Sequence, residues 1–221
     1  MRITCISIFP EIFSSFTTQS LIAKAIESWT ISIDLVDPRT FCTDKHQQVD
    51  DYPYGGGAGL VIKAQPVIDA IKSVMTFDAR IVFVAPSTEQ FVQTTAVHAA
   101  MQFKHIIFVC WRYEGIDQRA EDWARREFPE RTYRRSIGQF VTLWGEIPTQ
   151  CMIEAIVRLI PWVIQTDASH LIESYSEELW AEAIEYPQYT RPESVEWMSV
   201  PEVLLSGHHK MIEEWREQQT T

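Results

Sequence analysis

Four consecutive residues, Arg112-Tyr113-Glu114-Gly115, set a cation, a phenol, a carboxylate and a glycine side by side. They follow directly on an apolar run, Ile106-Ile107-Phe108-Val109-Cys110, with Lys104 and His105 before it. Such a run reads as a buried strand. In an open α/β sheet the loop at the carboxyl end of a strand is where ligands sit, and this turn suits that place. An ordinary strand-to-helix connection would carry the same signature.

Three other places could do chemistry. Gly55-Gly56-Gly57-Ala58-Gly59 is the densest glycine cluster, and backbone without side chains can approach a phosphate or a base closely. No Gly-Lys-Ser/Thr follows, which excludes a Walker loop. The cluster follows Asp50-Asp51-Tyr52-Pro53-Tyr54 and not a strand, which excludes a dinucleotide fingerprint. Arg158 stands in the apolar stretch Ala155–Ile160, where a charge must be paired, functional or turned out to water. Glu173, in Leu171-Ile172-Glu173-Ser174-Tyr175, is one of twelve acids after residue 164 and carries no signal by itself.

The elements that would position these residues alternate. Strands are predicted at Arg2–Ile8, Ile31–Val36, Arg80–Ala85 and from Ile106, with a further short strand within Ser136–Glu146. Helices are predicted from Pro10, over Leu21–Ser28, Gln65–Val74, Glu89–Met101, Gln118–Glu127 and Pro148–Leu159. Phe41–Gly59 reads as a long loop. This alternation implies a parallel α/β sheet. Past Ile164 the character changes. Residues 165–176 read as a linker, and 177–221 as a small acidic helical domain ending in a helix over His208–Gln219.

The chain of 221 residues has room for one full core and a small appendage. Its net charge of −11 argues at first against a nucleic-acid partner. The charge is unevenly spread, however: residues 165–221 hold 12 acids and 3 bases, and Arg125–Arg135 holds five arginines. A local basic patch can therefore exist on an acidic chain. The amino terminus reads as a strand and no apolar run is long enough to span a membrane, so a cytoplasmic protein is expected. Cys5, Cys42, Cys110 and Cys151 lie far apart without a CxxC pair, three of them in apolar surroundings, as expected of reduced thiols and not of a zinc site.

Together these segments resemble the bacterial tRNA (guanine-N1)-methyltransferases of the SPOUT class. The resemblance is carried by Ile8-Phe9-Pro10-Glu11, by Asp44-Lys45-His46, by Val49 to Gly59 and by Arg112-Tyr113-Glu114-Gly115. It continues through Ser136-Ile137-Gly138, Gly145-Glu146, Arg158-Leu159-Ile160-Pro161, Tyr186 to Pro192 and Val200 to Gly207. It implies an α/β fold with a trefoil-knotted parallel sheet and a small C-terminal helical domain, a rare exception to unknotted connectivity. It also implies a homodimer with the active site between subunits, S-adenosylmethionine as cofactor, help from Mg²⁺, and a guanine just 3′ of the tRNA anticodon as target.

By the same resemblance the cofactor is held at Pro86, Trp111, Tyr113, Glu114, Gly115, Ile137, Gly138, Gln139, Phe140, Val141, Thr142 and Gly145. The RNA is met by Asp50, Tyr54, Gly55, Gly56, Gly57, Gly59, Ser206 and His209. N1 of guanine is a poor nucleophile until its proton leaves, so a carboxylate base is required, and Glu173 fits by position. Negative charge then spreads to O6, where the fixed cation of Arg158 would stabilise it. No protein metal ligands are implied.

The chain departs from the family pattern in several places. Glu173 stands where many members have Asp, and Gln139 replaces an Asp. Trp29, Trp111, Trp144, Trp162 and Trp197 all fall where the pattern has Gly. An indole where backbone must touch a ligand should clash, and at positive φ it would be strained. The expectation is that these five codons are UGA, decoded as glycine in the source bacterium. If they are truly tryptophan, the alternative is a tRNA-binding pseudoenzyme whose cofactor pocket is blocked by Trp111 and Trp144.

Overall fold

A computed structural model describes residues 1–87, 89–164, 173–175 and 183–221. Thr88 and most of the expected linker lie outside them. The chain divides into two compact units, Met1–Gln165 and Thr166–Thr221.

The first unit is built on five parallel strands, β1 (Arg2–Ile6), β2 (Ser32–Val36), β5 (Ala79–Val84), β6 (His105–Cys110) and β7 (Thr132–Arg135), in the order β2-β1-β6-β5-β7. Central β6 is buried at all six positions. Its side chains alternate between two cores, as the two-residue period of a strand requires. Ile106, Phe108 and Cys110 join Ile3, Cys5, Phe13, Met152 and Ile156 on one face. Ile107 and Val109 join Ile6, Val67, Ile71, Ala120 and Ala124 on the other. Both faces are thus covered, by α2 (Ser20–Glu27), α4 (Gln93–Gln102) and α6 (Glu146–Val157) on one side and by α3 (Ala64–Val74) and α5 (Gln118–Glu127) on the other.

The structure corrects three expectations here. Ser136–Glu146 forms no strand: Ser136 makes one isolated bridge with Gln90, and the rest is loop until α6 begins. The long loop before Gly59 contains β3 (Asp50–Asp51), which pairs antiparallel with β4 (Val61–Ile62). The arginine-rich segment is not a free basic patch. Its end is edge strand β7, and four of its five guanidiniums pair with carboxylates close by. Arg125 and Arg134 pair with Glu121, Arg126 with Glu127 and Arg135 with Glu89, while Arg131 donates to the Phe77 carbonyl. Of the four cysteines only Cys5 and Cys110 are buried; Cys151 is exposed.

The second unit is not wholly helical. It holds a hairpin of β8 (Ser194–Val195) and β9 (Met198–Ser199), then helical Glu202–Leu205 and the terminal helix His209–Gln219. No described helix is long and apolar enough to cross a membrane.

Candidate active site

Strands β1, β5 and β6 end at one edge of the sheet, and their loops meet there. Leaving β6, the chain turns through Tyr113 at φ +57 and Gly115 at φ +133, closed by the Gly115 amide donating to the Arg112 carbonyl at 3.0 Å. Asp117 then caps α5: its side chain accepts from the Arg119 amide, and the Arg119 guanidinium is the main reason its carboxyl sits below the usual range.

The glycine cluster is fastened to this turn. Glu114 N–H donates to Leu60 O at 3.0 Å, Ile62 N–H to Gly115 O at 3.0 Å and Asp117 N–H to Ile62 O at 2.8 Å. Gly55, Gly56, Gly57 and Gly59 all have positive φ, which suits residues without a Cβ. Gly59 is needed twice over, because a Cβ there would lie 2.5 Å from Glu114 Oε1. Two segments that are separate motifs in the sequence are one construction in space.

Beneath the turn lies a buried ionic group. Arg112 is 7% exposed and Glu146, first residue of α6, is fully buried. Arg112 Nε is 3.2 Å from Glu146 Oε2, and Ser7 Oγ donates to Glu146 Oε1 at 2.5 Å. The guanidinium sits 4.4 Å from the ring centres of both Phe9 and Trp144, a cation–π sandwich. Its Nη2 has no hydrogen-bond partner. Residues from the ends of β1 and β6 and the start of α6 are thereby locked to one another. Burial, then the neighbouring Glu146 charge, pushes the Cys110 thiol far up, so it is a packing group and no nucleophile.

A cleft of about 570 Å³ opens at this edge, within the range of small-molecule sites. Of the residues that the resemblance assigns to the cofactor, Pro86, Trp111, Tyr113, Glu114, Gly115, Val141 and Thr142 line it. Ile137, Gly138, Gln139, Phe140 and Gly145 do not. Ile137 packs on the core, Gly138 lies against the Phe140 ring, and the Gly145 amide donates to the Trp111 carbonyl at 3.1 Å. Glu121, Arg134 and Leu143 line the cleft and escaped the sequence reading. Glu121 was legible only as a charged helix residue, and Arg134 only as part of the arginine run.

A second, wider hollow of about 970 Å³ lies beyond, lined by Asp51, Tyr52, Pro53, Tyr54, Lys63, Asp117 and Arg119 among others. Tyr54 belongs to it; Asp50, next to Asp51 of its lining, is paired with Ile62 in β3. The start of α5 borders both hollows. Arg158 is not inside the apolar helix but closes it, as the C-cap of α6 in the first unit. Glu173, Ser206 and His209 belong to the second unit, where Ser206 and His209 are exposed.

Comparisons with known proteins identify the family. The family model described as tRNA (Guanine-1)-methyltransferase TrmD matches residues 1–221. A tRNA (guanine-N(1)-)-methyltransferase of Geobacillus kaustophilus is 40% identical over 222 residues, covering 100% of this chain and 86% of the relative. One of Clostridium botulinum strain Kyoto is 44% identical over 217 residues, 98% and 85% of the two chains, and one of Bacillus subtilis is 40% identical over 223 residues, 100% and 87%. With a strand-end cleft, a glycine loop sewn to it and a match along its whole length, the chain belongs to the tRNA (guanine-1)-methyltransferase family.

Proposed function

We propose that the protein transfers a methyl group from S-adenosylmethionine to N1 of the guanine immediately 3′ of the anticodon in tRNA. The observation that carries this reading is the sewing of the glycine loop to the Arg112–Gly115 turn, which sets a cofactor-sized cleft beside a wider hollow with α5 between them. Bound S-adenosylmethionine supplies an electrophilic methyl on a sulfonium. The cleft suits it: apolar Phe83, Val84, Ile116 and Leu143 can cover an adenine, and polar Glu114, Glu121 and Arg134 can meet an amino-acid tail.

The remaining roles belong to this chain's side chains. Glu173 takes the N1 proton and frees the lone pair for attack. Arg158 holds the charge that then gathers on O6. Tyr54 and the exposed backbone of Gly55, Gly56 and Gly57 hold the RNA beside the cleft, with Ser206 and His209 of the second unit as further contacts. Help from Mg²⁺ would need no protein cage, because that ion keeps several waters and takes one or two carboxylates beside substrate oxygens. The fold is read as a trefoil-knotted sheet with residues 177–221 as a tRNA-gripping domain. It acts in the cytoplasm as a homodimer, for which the exposed side chains of Phe140, Val141 and Leu143 beside the cleft offer an apolar surface.

The test is methyl transfer from labelled S-adenosylmethionine to tRNA transcripts with guanine or adenine after the anticodon. Label at N1 in the guanine transcript alone is the expected result. Equal labelling of both, or of neither while the cofactor binds, would overturn the assignment.

A further inference from the structure

Two tryptophans stand where the backbone calls for glycine. Helix α2 ends in a Schellman closure: Trp29 N–H donates to Ile26 O and Thr30 N–H to Ala25 O, each at 3.0 Å. That motif needs a left-handed residue after the C-cap, and Trp29 fills it at φ +60. Ile160-Pro161-Trp162-Val163 is closed by Val163 N–H to Ile160 O at 3.2 Å, with proline second and Trp162 third at φ +73. This is the pattern of a type II turn, whose third residue is ordinarily glycine. A bulky side chain in the left-handed region is strained, and nothing here compensates it: both side chains are 90% exposed.

Other residues also reach positive φ, Tyr113 and Glu196 among them, so the backbone angle alone decides nothing. The coincidence of motif, residue size and exposure does. Trp123 and Trp215 behave as tryptophans should: Trp123 packs edge-on against Phe128 beneath Lys72, and Trp215 packs on Tyr189. Trp197 does not share this signature: it lies 86% exposed in the two-residue loop between β8 and β9, but the left-handed residue of that loop is Glu196.

Of the same residue type, Trp111 borders the cleft and Trp144 stands one residue beyond Leu143 of its wall. The Trp111 indole is close enough to Gly145 that a Cβ there would meet Trp111 Cδ1 at 3.0 Å. Trp144 lies over Arg112. Neither has positive φ, so the case at these two positions is one of space and rests on the proposed cofactor.

We infer that positions 29 and 162 carry glycine in the functional protein, and with them 111 and 144, encoded by UGA codons decoded as glycine. The cofactor cleft of the working enzyme is accordingly wider than the one the tryptophans leave.

The experiment compares the full-length chain carrying every tryptophan with two double variants, Trp29→Gly with Trp162→Gly and Trp111→Gly with Trp144→Gly. Thermal melting is read for the first, and S-adenosylmethionine binding by calorimetry for the second. The first should melt higher, because relief of left-handed strain outweighs glycine's extra freedom in the unfolded chain. The second should bind the cofactor at least about tenfold more tightly than the tryptophan chain, as relief of overpacking allows. A lower or unchanged melting point for the first variant overturns the inference. If melting rises but neither protein binds the cofactor, the glycine assignment stands and the cofactor reading falls. Peptide mass spectrometry of protein taken from its own cells reads the residues directly: glycine at 29 and 162 supports the inference, and tryptophan there ends it.

Discussion

The two ends of β6 each bury a basic side chain, and they treat it differently. At the amino end His105 is held between two threonines, Thr4 Oγ1 at 2.9 Å from Nε2 and Thr76 Oγ1 at 2.9 Å from Nδ1. Thr76 spends its own hydroxyl proton on Asp78, so it accepts from Nδ1–H, and Nε2 accepts from Thr4. Both ring nitrogens are satisfied and the ring stays neutral. At the carboxyl end Arg112 keeps one nitrogen without a hydrogen bond, sits between two aromatic rings and anchors a turn with positive φ. A closed network holds a sheet together. An incompletely satisfied one lies beside the cleft where the proposed function puts the cofactor.

Breaking the carboxyl end should have the largest effect. Arg112→Ala leaves the Glu146 carboxylate buried beside only Ser7, at a cost of about 3–5 kcal/mol. Denaturant unfolding should show that loss, with methyl transfer falling alongside it. Equal stability would mean that the pair is no more than a filled cavity. Gly59→Val attacks the same end without touching a charge. Its side chain meets Glu114 at positive φ, the two loops part, and turnover of the folded protein drops about a hundredfold, beyond what the accompanying lower melting point removes. Wild-type turnover in that variant would show that the sewing of the loops is irrelevant to function.

The amino end should answer in stability alone. Thr4→Val removes the donor to His105 Nε2 in a fully buried site, costing about 1–3 kcal/mol with catalysis by the folded fraction unchanged. If methyl transfer falls beyond the loss of folded protein, the two ends are coupled and the contrast fails. The smallest effect is on pH dependence. Burial is the main cause of the lowered His105 pKa, so the unfolded chain takes its proton first as pH falls. This contribution to stability is whole above about pH 6.5, the unperturbed value, and shrinks as pH drops from there toward the lowered folded value. His105→Asn should flatten that acid slope, as melting points across the range would show.

Much of the framework was legible in residue patterns. The apolar run before Arg112 could only be a buried strand, and Gln118–Glu127 is a helix over the expected residues. The glycine cluster's need for open backbone was also visible, since positive φ at Gly55, Gly56, Gly57 and Gly59 favours glycine. The arginine run misled because charge counts carry no information about partners. Glu121 meets Arg125 one turn along α5, but it reaches Arg134 only once α5 packs beside β7. The strand expected within Ser136–Glu146 failed because its apolar residues, Phe140, Val141 and Leu143, face solvent beside the cleft and not a core.

The sequence by itself determined an alternating α/β chain, its family, and a set of residues at the ends of strands. Those follow from local periodicity and from motifs that survive as strings. Tertiary structure decided which strings meet: Gly59 against Glu114, Ser7 and Arg112 on Glu146, Arg134 in the cleft. It also decided which tryptophans are out of place, because a residue's strain depends on the backbone angle that its turn imposes, and its fitness on what it touches. Neither is written in the order of residues; both come from distant segments closing on one another.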